Sequence, residues 1–349
     1  MSDPTAPTTN ITATTNQYLA PLWVDQVLRD NFFFGEVLSR TLKFRGSQEV
    51  HPIKYQSGIP TVAFNGYDFL PTTQLPPTVN MTFYATFTAT NVALAGSDLS
   101  VNKTQMEMVD LLTQTMKSRA QDGANDIGTF FQGSGQAFGG KAPMGLAGIV
   151  DNGSVLANYG GLARATYNGL NATVTASGGT ISLLKVRTLA NAITDGNVEP
   201  TFAITDYTTW SYFEQLLQTF QRNTYNDANF KSMKAGTGYK GGVGLYWDGL
   251  DIHRDRKITV GNFYLLNLDY LHFFGLNWWE GKPVSLESKE IVGNIYEYMN
   301  KASSAKAFTW SGWIRAYNQG AINGFMIMGG QLICTNPWRN GVLTGVTGI

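Results

Sequence analysis

Charge is what this sequence has least of. Lys, Arg, Asp and Glu make up 14% of its 349 residues and cancel to a formal net charge of zero, against roughly a quarter charged in an average soluble domain. Binding to a polyanion by bulk electrostatics is therefore excluded. Cysteine is nearly absent. Cys334 stands alone, so no intramolecular disulfide can form, and without a partner motif it reads as structural. No apolar run reaches the roughly 18 residues that a membrane span needs. Met1 to Leu28 carry neither Lys nor Arg, so a secretory signal with a basic start is missing. The three histidines, His51, His253 and His272, show no HxxxH or HExxH spacing, and no GxSxG elbow occurs.

Near-motifs fail on context. Gly135 to Lys141, GQAFGGK, follows a Walker loop as far as its Lys. Ala142 and Pro143 then stand where a hydroxyl residue and a helix start are needed, and no strand precedes. Gly236 to Gly241 fits GxGxxG but leads into a strand, so turn glycines are the better account. Glu287, Glu290 and Glu297 read as surface partners of Lys289 and Lys301. The run His253-Arg254-Asp255-Arg256 reads as a solvated face or a subunit contact. No catalytic constellation, cofactor site or metal site emerges.

What is abundant is aromatic and glycine: 13% Phe, Trp and Tyr, and 38 glycines. A chain so poor in charge is expected either to hide much of its surface against other subunits or to be a β-rich monomer with Thr and Asn on its surface. Residues 1–17 are Thr, Pro and Asn with little to bury, an arm that is disordered or laid on a partner. Leu19 to Leu38 predicts one helix or two short ones, with the sticky run Phe32-Phe33-Phe34. From Lys43 to Leu94 the pattern has period two. Thr78 to Thr90 predicts a strand with Val79, Met81, Phe83, Ala85, Phe87 and Ala89 on one face, and Glu49 to Phe64 predicts its partner. Between them lies the loop around Phe69. An arm of this kind is marginal alone and must lie on its own domain or on another subunit.

Asn102 to Gly133 carries the strongest signal. Met106, Val109, Leu112, Met116, Ala120, Ile127 and Phe131 form one helical stripe, over a length of roughly 45 Å. Gly123 and Gly128 predict a bend or a close contact. Beyond the Gly-rich crossing, Ser182 to Thr194 predicts a helix with Val186, Leu189, Ala190 and Ile193 inward. Pro200 to Thr205 predicts a buried strand. Asp206 caps a further helix with Trp210, Phe213, Leu217 and Phe220 inward. An Asp248-Gly249 hairpin turn follows, then strands, then a loose tail over 335–349. The class is α+β.

This order of parts resembles the major capsid proteins of tailed bacteriophages with the Hong Kong 97-type fold. The segments GLAGIVDNGS, YGGLARATYNGL, VRTLANAI, PTFAITDYTTW, GNFYLLNLDYL and FTWSGWIRAYNQGAINGFMIMGGQL carry the likeness, across roughly Leu19 to Leu332. The resemblance implies an N-terminal arm (1–42), an extended β-hairpin loop (43–96), and a peripheral domain with a spine helix (97–149 and 290–334). It also implies a mixed α/β axial domain (150–289) and a C-terminal tail (335–349). With some forty residues ahead of the loop, the resemblance implies that no scaffolding segment of normal size is encoded and that the scaffold is a separate protein or none. The implied function is a virion shell subunit, assembled in the host cytoplasm into hexamers and pentamers around double-stranded DNA, not an enzyme, with no cofactor and no membrane. The implied partners are other copies, a portal, scaffold or decoration proteins, and weakly held DNA. Phe33, Phe69, Met81, Phe83 and Phe87 are the expected inter-subunit contacts. Some relatives crosslink through a Lys–Asn isopeptide; Lys54 and Asn65 lie in the corresponding loop, a placement shared by many unreactive residues. An encapsulin-type shell around protein cargo is the alternative, and a soluble enzyme of unknown class the third reading.

Overall fold

The computed structural model describes residues 31–56, 61–70, 76–96, 105–176, 178–218, 238–240, 244–276, 308–312, 314–315 and 320–349, with side chains on the long helix from Gln114 onward. The arm over 1–17, most of the helix expected from Leu19, Phe220 and the carboxylates 287–297 lie outside these residues, and the side chains of Met106, Val109 and Leu112 lie outside those described.

In chain order, α1 (Phe32–Leu38) leads to β1 (Leu42–Lys43), β2 (Gln48–Lys54), β3 (Thr78–Tyr84) and β4 (Thr86–Ala95), and then to α2 (Gln105–Gln132). After two single helical turns come β5 (Thr173–Thr175), α3 (Leu183–Ile193), β6 (Phe202–Thr205) and α4 (Tyr207–Gln218). The chain continues through β7 (Gly238–Lys240), β8 (Gly244–Trp247), β9 (Leu250–Arg254), β10 (Phe263–Leu266) and β11 (Leu271–Gly275). It closes with β12 (Phe308–Trp310), β13 (Ile314–Arg315), β14 (Ala321–Cys334) and β15 (Gly341–Leu343).

β14 is the axis of a six-stranded sheet. Along one edge it pairs with β4, from Ala321↔Ala95 to Gly330↔Thr86. Its other edge takes β13, β12 and β11 in turn, and β1 joins β11 in parallel. The helix α2, about 42 Å long at 1.5 Å per residue, lies on β4. Met116, Ala120, Ala124, Ile127 and Phe131 are buried, as the helical period requires. Its two interior glycines mark close contacts. A Cβ on Gly123 would stand 2.7 Å from Thr90 Oγ1, and one on Gly128 would overlap the buried Asn31 amide, whose Nδ2 donates to the Ala124 carbonyl at 2.7 Å.

A seven-stranded sheet runs β7-β8-β9-β6-β10-β15-β5. Both of its faces are covered, so its strands alternate between two cores. Phe202 and Ile204, Tyr264 and Leu266, and Val342 face the larger core shared with α1 and α2. Ala203, Phe263, Leu265 and Leu343 face α3 and α4. The expected stripes hold, with Val186, Leu189, Ala190, Ile193, Trp210, Phe213 and Leu217 all buried. Ser182 caps α3 by accepting from Lys185 N at 3.3 Å. Asp206 caps α4 by accepting from Thr208 N and Thr209 N at 2.9 and 3.1 Å. Asp248 and Gly249 both have positive φ, the backbone of a type I′ hairpin turn.

The tail is not loose. β15 lies between β10 and β5, and Val346–Gly348 pairs with Gly179–Thr180. Val342, Leu343 and Val346 are buried, which the glycines around them masked in the sequence pattern.

Candidate assembly interface

The extended segment divides at Ala85. β3 pairs with β2, from Lys54↔Thr78 to Gln48↔Tyr84, whereas β4 pairs with β14. The expected strand Thr78 to Thr90 is therefore two strands in two sheets, and side-chain parity inverts between them. Met81 and Phe83 are buried from β3, and Val92 and Leu94 from β4. Phe87, expected on the face of Phe83, is 43% exposed, and its ring covers Gly329, where an added Cβ would lie 2.9 Å from it. The partner strand is also shorter than expected: it ends at Lys54, and residues 61–70 are irregular with one turn.

The hairpin's root is tied to its own chain. The Thr82 amide donates to the Gly160 carbonyl at 2.9 Å. The Phe83 ring lies 5.2 Å from Tyr159 and 6.3 Å from His51, and Tyr55 meets Tyr167 edge-on at 5.0 Å.

Behind Tyr159 is a buried polar knot that the sequence reading missed. Asp151 accepts from Gly153 N, Ser154 Oγ, Val155 N and Leu156 N, at 3.1, 2.8, 3.1 and 2.8 Å. Burial alone would raise this carboxyl, but those donors outweigh it and hold its pKa below the usual value. The Arg164 guanidinium donates to the carbonyls of Asp151 (2.6 Å), Gly148 (2.7 Å) and Leu170, and lies 5.0 Å over the Tyr159 ring. Tyr159 OH bonds both the amide and the carbonyl of Cys334 at 2.9 Å. The Cys334 thiol, pushed by burial to about 12, is a packed group and not a nucleophile. Asp-Asn-Gly-Ser is a recognisable Asx-turn signature, but nothing in the spacing marks Arg164 as its partner.

The tip is bare. Tyr67 and Phe69 are as exposed as in an extended chain, at 103% and 102%, and Val62, Phe64 and Leu70 are exposed with them. The tip is nevertheless ordered by a tight turn. The Asp68 amide donates to the Asn65 carbonyl at 2.8 Å, and the Asn65 amide donates to Asp68 Oδ2 at 2.8 Å. Five large exposed apolar side chains thus fall within residues 62–70. Of the five expected contact residues, Phe33, Met81 and Phe83 sit in the chain's own core, while Phe69 and Phe87 face outward.

The other candidates resolve differently. Residues 137–140 form a single turn with Phe138 and Gly139 at positive φ, an irregular crossing and not a phosphate cradle. His253 packs against the rings of both Phe32 and Phe202, at 4.6 and 5.0 Å. Asp255, expected on a solvated face or at a subunit contact, is buried and accepts from Phe33 N and Lys257 N at 3.1 and 2.8 Å. Among the described residues, no group of three His, Cys, Asp or Glu is arranged to hold a metal ion.

No family model matches the chain, and no curated protein matches it. Solved structures do. The capsid asymmetric unit of cyanophage A-1(L) aligns over 91% of this chain and 93% of its own, with TM-score 0.66 and 11% identity. The capsid of a native GTA particle aligns over 90% and 91%, with TM-score 0.54 and 8% identity. The capsid of the empty GTA particle aligns over 90% of each chain, with TM-score 0.52 and 8% identity. At these identities the likeness is one of fold. The chain has the Hong Kong 97-type capsid fold, with mixed α/β topology, a long helix and extended sheets.

Proposed function

We propose that this chain is the major capsid protein of a tailed phage, a structural subunit that self-assembles into an icosahedral shell around double-stranded DNA. One observation carries the reading: a hairpin rooted in its own core presents Val62, Phe64, Tyr67, Phe69 and Leu70 to water. Burying a large apolar side chain is worth about 1.5–3 kcal/mol, so a tip of five drives association strongly once a neighbour covers it. The fold shared with the cyanophage capsid subunit supports the choice of a second copy of the chain as that neighbour. Phe69 and Phe87 are the contacts assigned to this role.

On this reading residues 43–96 are the extended loop, α2 is the spine helix of a peripheral domain (97–149 with 290–334), and 150–289 is the axial domain. Residues 335–349 join the axial sheet through β15. The zero net charge suits an inner wall that confines DNA without gripping it, and the virion is the place of action. A portal, and scaffold or decoration proteins, belong to the same proposal.

The test is Phe69→Asp. The variant should melt as the unassembled parent does and yield no fast-sedimenting particles, by sedimentation and electron microscopy of the expressed protein. Normal closed particles from Phe69→Asp, or a parent chain that stays monomeric at high concentration, would overturn the assignment.

A further inference from the structure

Asn-Gly occurs five times, at Asn65, Asn152, Asn168, Asn323 and Asn340. The pair is chemically special because glycine leaves its backbone nitrogen unobstructed. That nitrogen can attack the preceding side-chain carbonyl carbon if the two are brought together. Four of the five sites are held in different ways. Gly153 N is turned away to Asp151 Oδ2 at 3.1 Å. Asn168 opens a 3-10 turn. Asn323 is held in the β14 ladder between Ile314 and Ala93. Asn340 is fully buried, its Oδ1 accepting from Asn267 N at 2.9 Å and its Nδ2 donating to Cys334 Sγ at 3.2 Å.

Asn65 shares its exposure with Asn152 and Asn168 but differs in its contact. It is exposed, and the Gly66 amide donates directly to its own neighbour's side chain, Asn65 Oδ1, at 3.1 Å. The paired bonds between Asn65 and Asp68, each 2.8 Å, fix the backbone on either side of that contact. The attacking nitrogen and the side-chain carbonyl are thus held together in the ground state, the arrangement that favours an intramolecular reaction.

We propose that Asn65-Gly66 is a self-modification site at which the chain deamidates. The Gly66 nitrogen forms a bond to Asn65 Cγ, the Cγ–Nδ2 bond breaks, and ammonia leaves with the proton lost from Gly66 N. Solvent water then opens the resulting succinimide, giving a carboxylate as aspartate or isoaspartate. The net change is amide plus water to carboxylate plus ammonium. It places a negative charge among Phe64, Tyr67 and Phe69. A corollary rests on the shell reading: an aged free subunit is a poorer neighbour than a fresh one.

The chemistry is tested without reference to assembly. The purified full chain is held at mildly alkaline pH, folded and separately in urea, and mapped by peptide mass spectrometry with enzymatic isoaspartate methylation. Asn65 should convert several-fold faster than any of the other four sites, and at least as fast folded as unfolded. Gly66→Ala should slow it several-fold without altering the melt, since an added Cβ there meets nothing within 4 Å and Gly66 is not left-handed. Conversion at Asn65 no faster than at the other sites, or markedly slower folded than in urea, would overturn the proposal.

Discussion

Phe83 and Phe69 stand in the same extended segment and are the same residue, yet one is 3% and the other 102% exposed. The difference divides the hairpin into a root buried in its own chain and a tip left in water. On the proposed reading, stability resides at the first and association at the second. The sharpest way to break this comparison is to make one substitution at both ends. Phe83→Asp places an unpaired carboxylate beside Tyr159 and His51, at a cost of several kcal/mol, a large share of a domain's stability. The expected result is unfolded or insoluble protein, read by thermal melting and urea titration. The matching change at Phe69 should leave the melt where it was. A soluble, cooperatively melting Phe83→Asp chain would move the strand off its own core and erase the distinction.

The next largest effect tests what anchors the root. Arg164→Met keeps side-chain bulk but removes the donors to the carbonyls of Gly148, Asp151 and Leu170. Breaking a buried charged network from one side costs about 3–5 kcal/mol, so a clear drop in the urea midpoint is expected. Because Tyr159 bridges this knot to Phe83, amides of β2 and β3 should exchange faster than those of β6 and β10. Uniform loss of protection would mean that the knot supports the whole chain and not the root in particular. Phe87→Ala is milder. The ring is half exposed and covers Gly329 across the strand pair, and a cross-strand contact of this kind is worth about 1 kcal/mol or less. A melting shift as large as that of Arg164→Met would show that Phe87 is core.

Periodicity made the helices legible because each has one wet face and one dry face. Val186 to Ile193 and Trp210 to Leu217 read correctly for that reason, and so did the part of α2 from Met116 to Phe131. The two-residue period gave the right faces within β3 but not across Ala85. A strand that leaves one sheet for another keeps its alternating composition while its surroundings invert, and Thr86, Thr88 and Thr90 are polar enough to hide the change. β15 was missed because a three-residue strand buried on both faces carries no period, and Gly341 and Gly345 imitate a loop. At the proposed interface, the sequence marked Phe69 and Phe87 by being aromatic in an arm expected to lack support. It could not separate them from Met81 and Phe83, since burial there depends on Gly160, Tyr159 and Gly329, all distant along the chain.

The smallest effect concerns pH at the root. His51 extends from β2 toward the sheet, with its ring 5.3 Å from Phe274 and 6.3 Å from Phe83. Its buried Nε2 has no hydrogen-bond partner among the described residues. The charged and titratable groups around it are Glu49 on its own strand, 4.0 Å away, and His272 from β11. Burial lowers the His51 pKa from 6.5; Glu49 opposes that shift and His272 adds to it, with a net lowering. A histidine lowered on folding binds its proton more readily in the unfolded chain. Its contribution is therefore intact above pH 6.5 and is lost as pH falls through the lowered folded value. The melting temperature of unassembled protein should accordingly sag across that window. Hydrogen exchange should place the loss in the β2–β3 amides, leaving α3 and α4 unchanged. His51→Phe should remove this part of the pH dependence while leaving the acid limb set by Asp151, at lower pH, in place. If the variant sags across the same window as the parent, His51 is not the group that titrates, and the root is no more sensitive to acid than the tip.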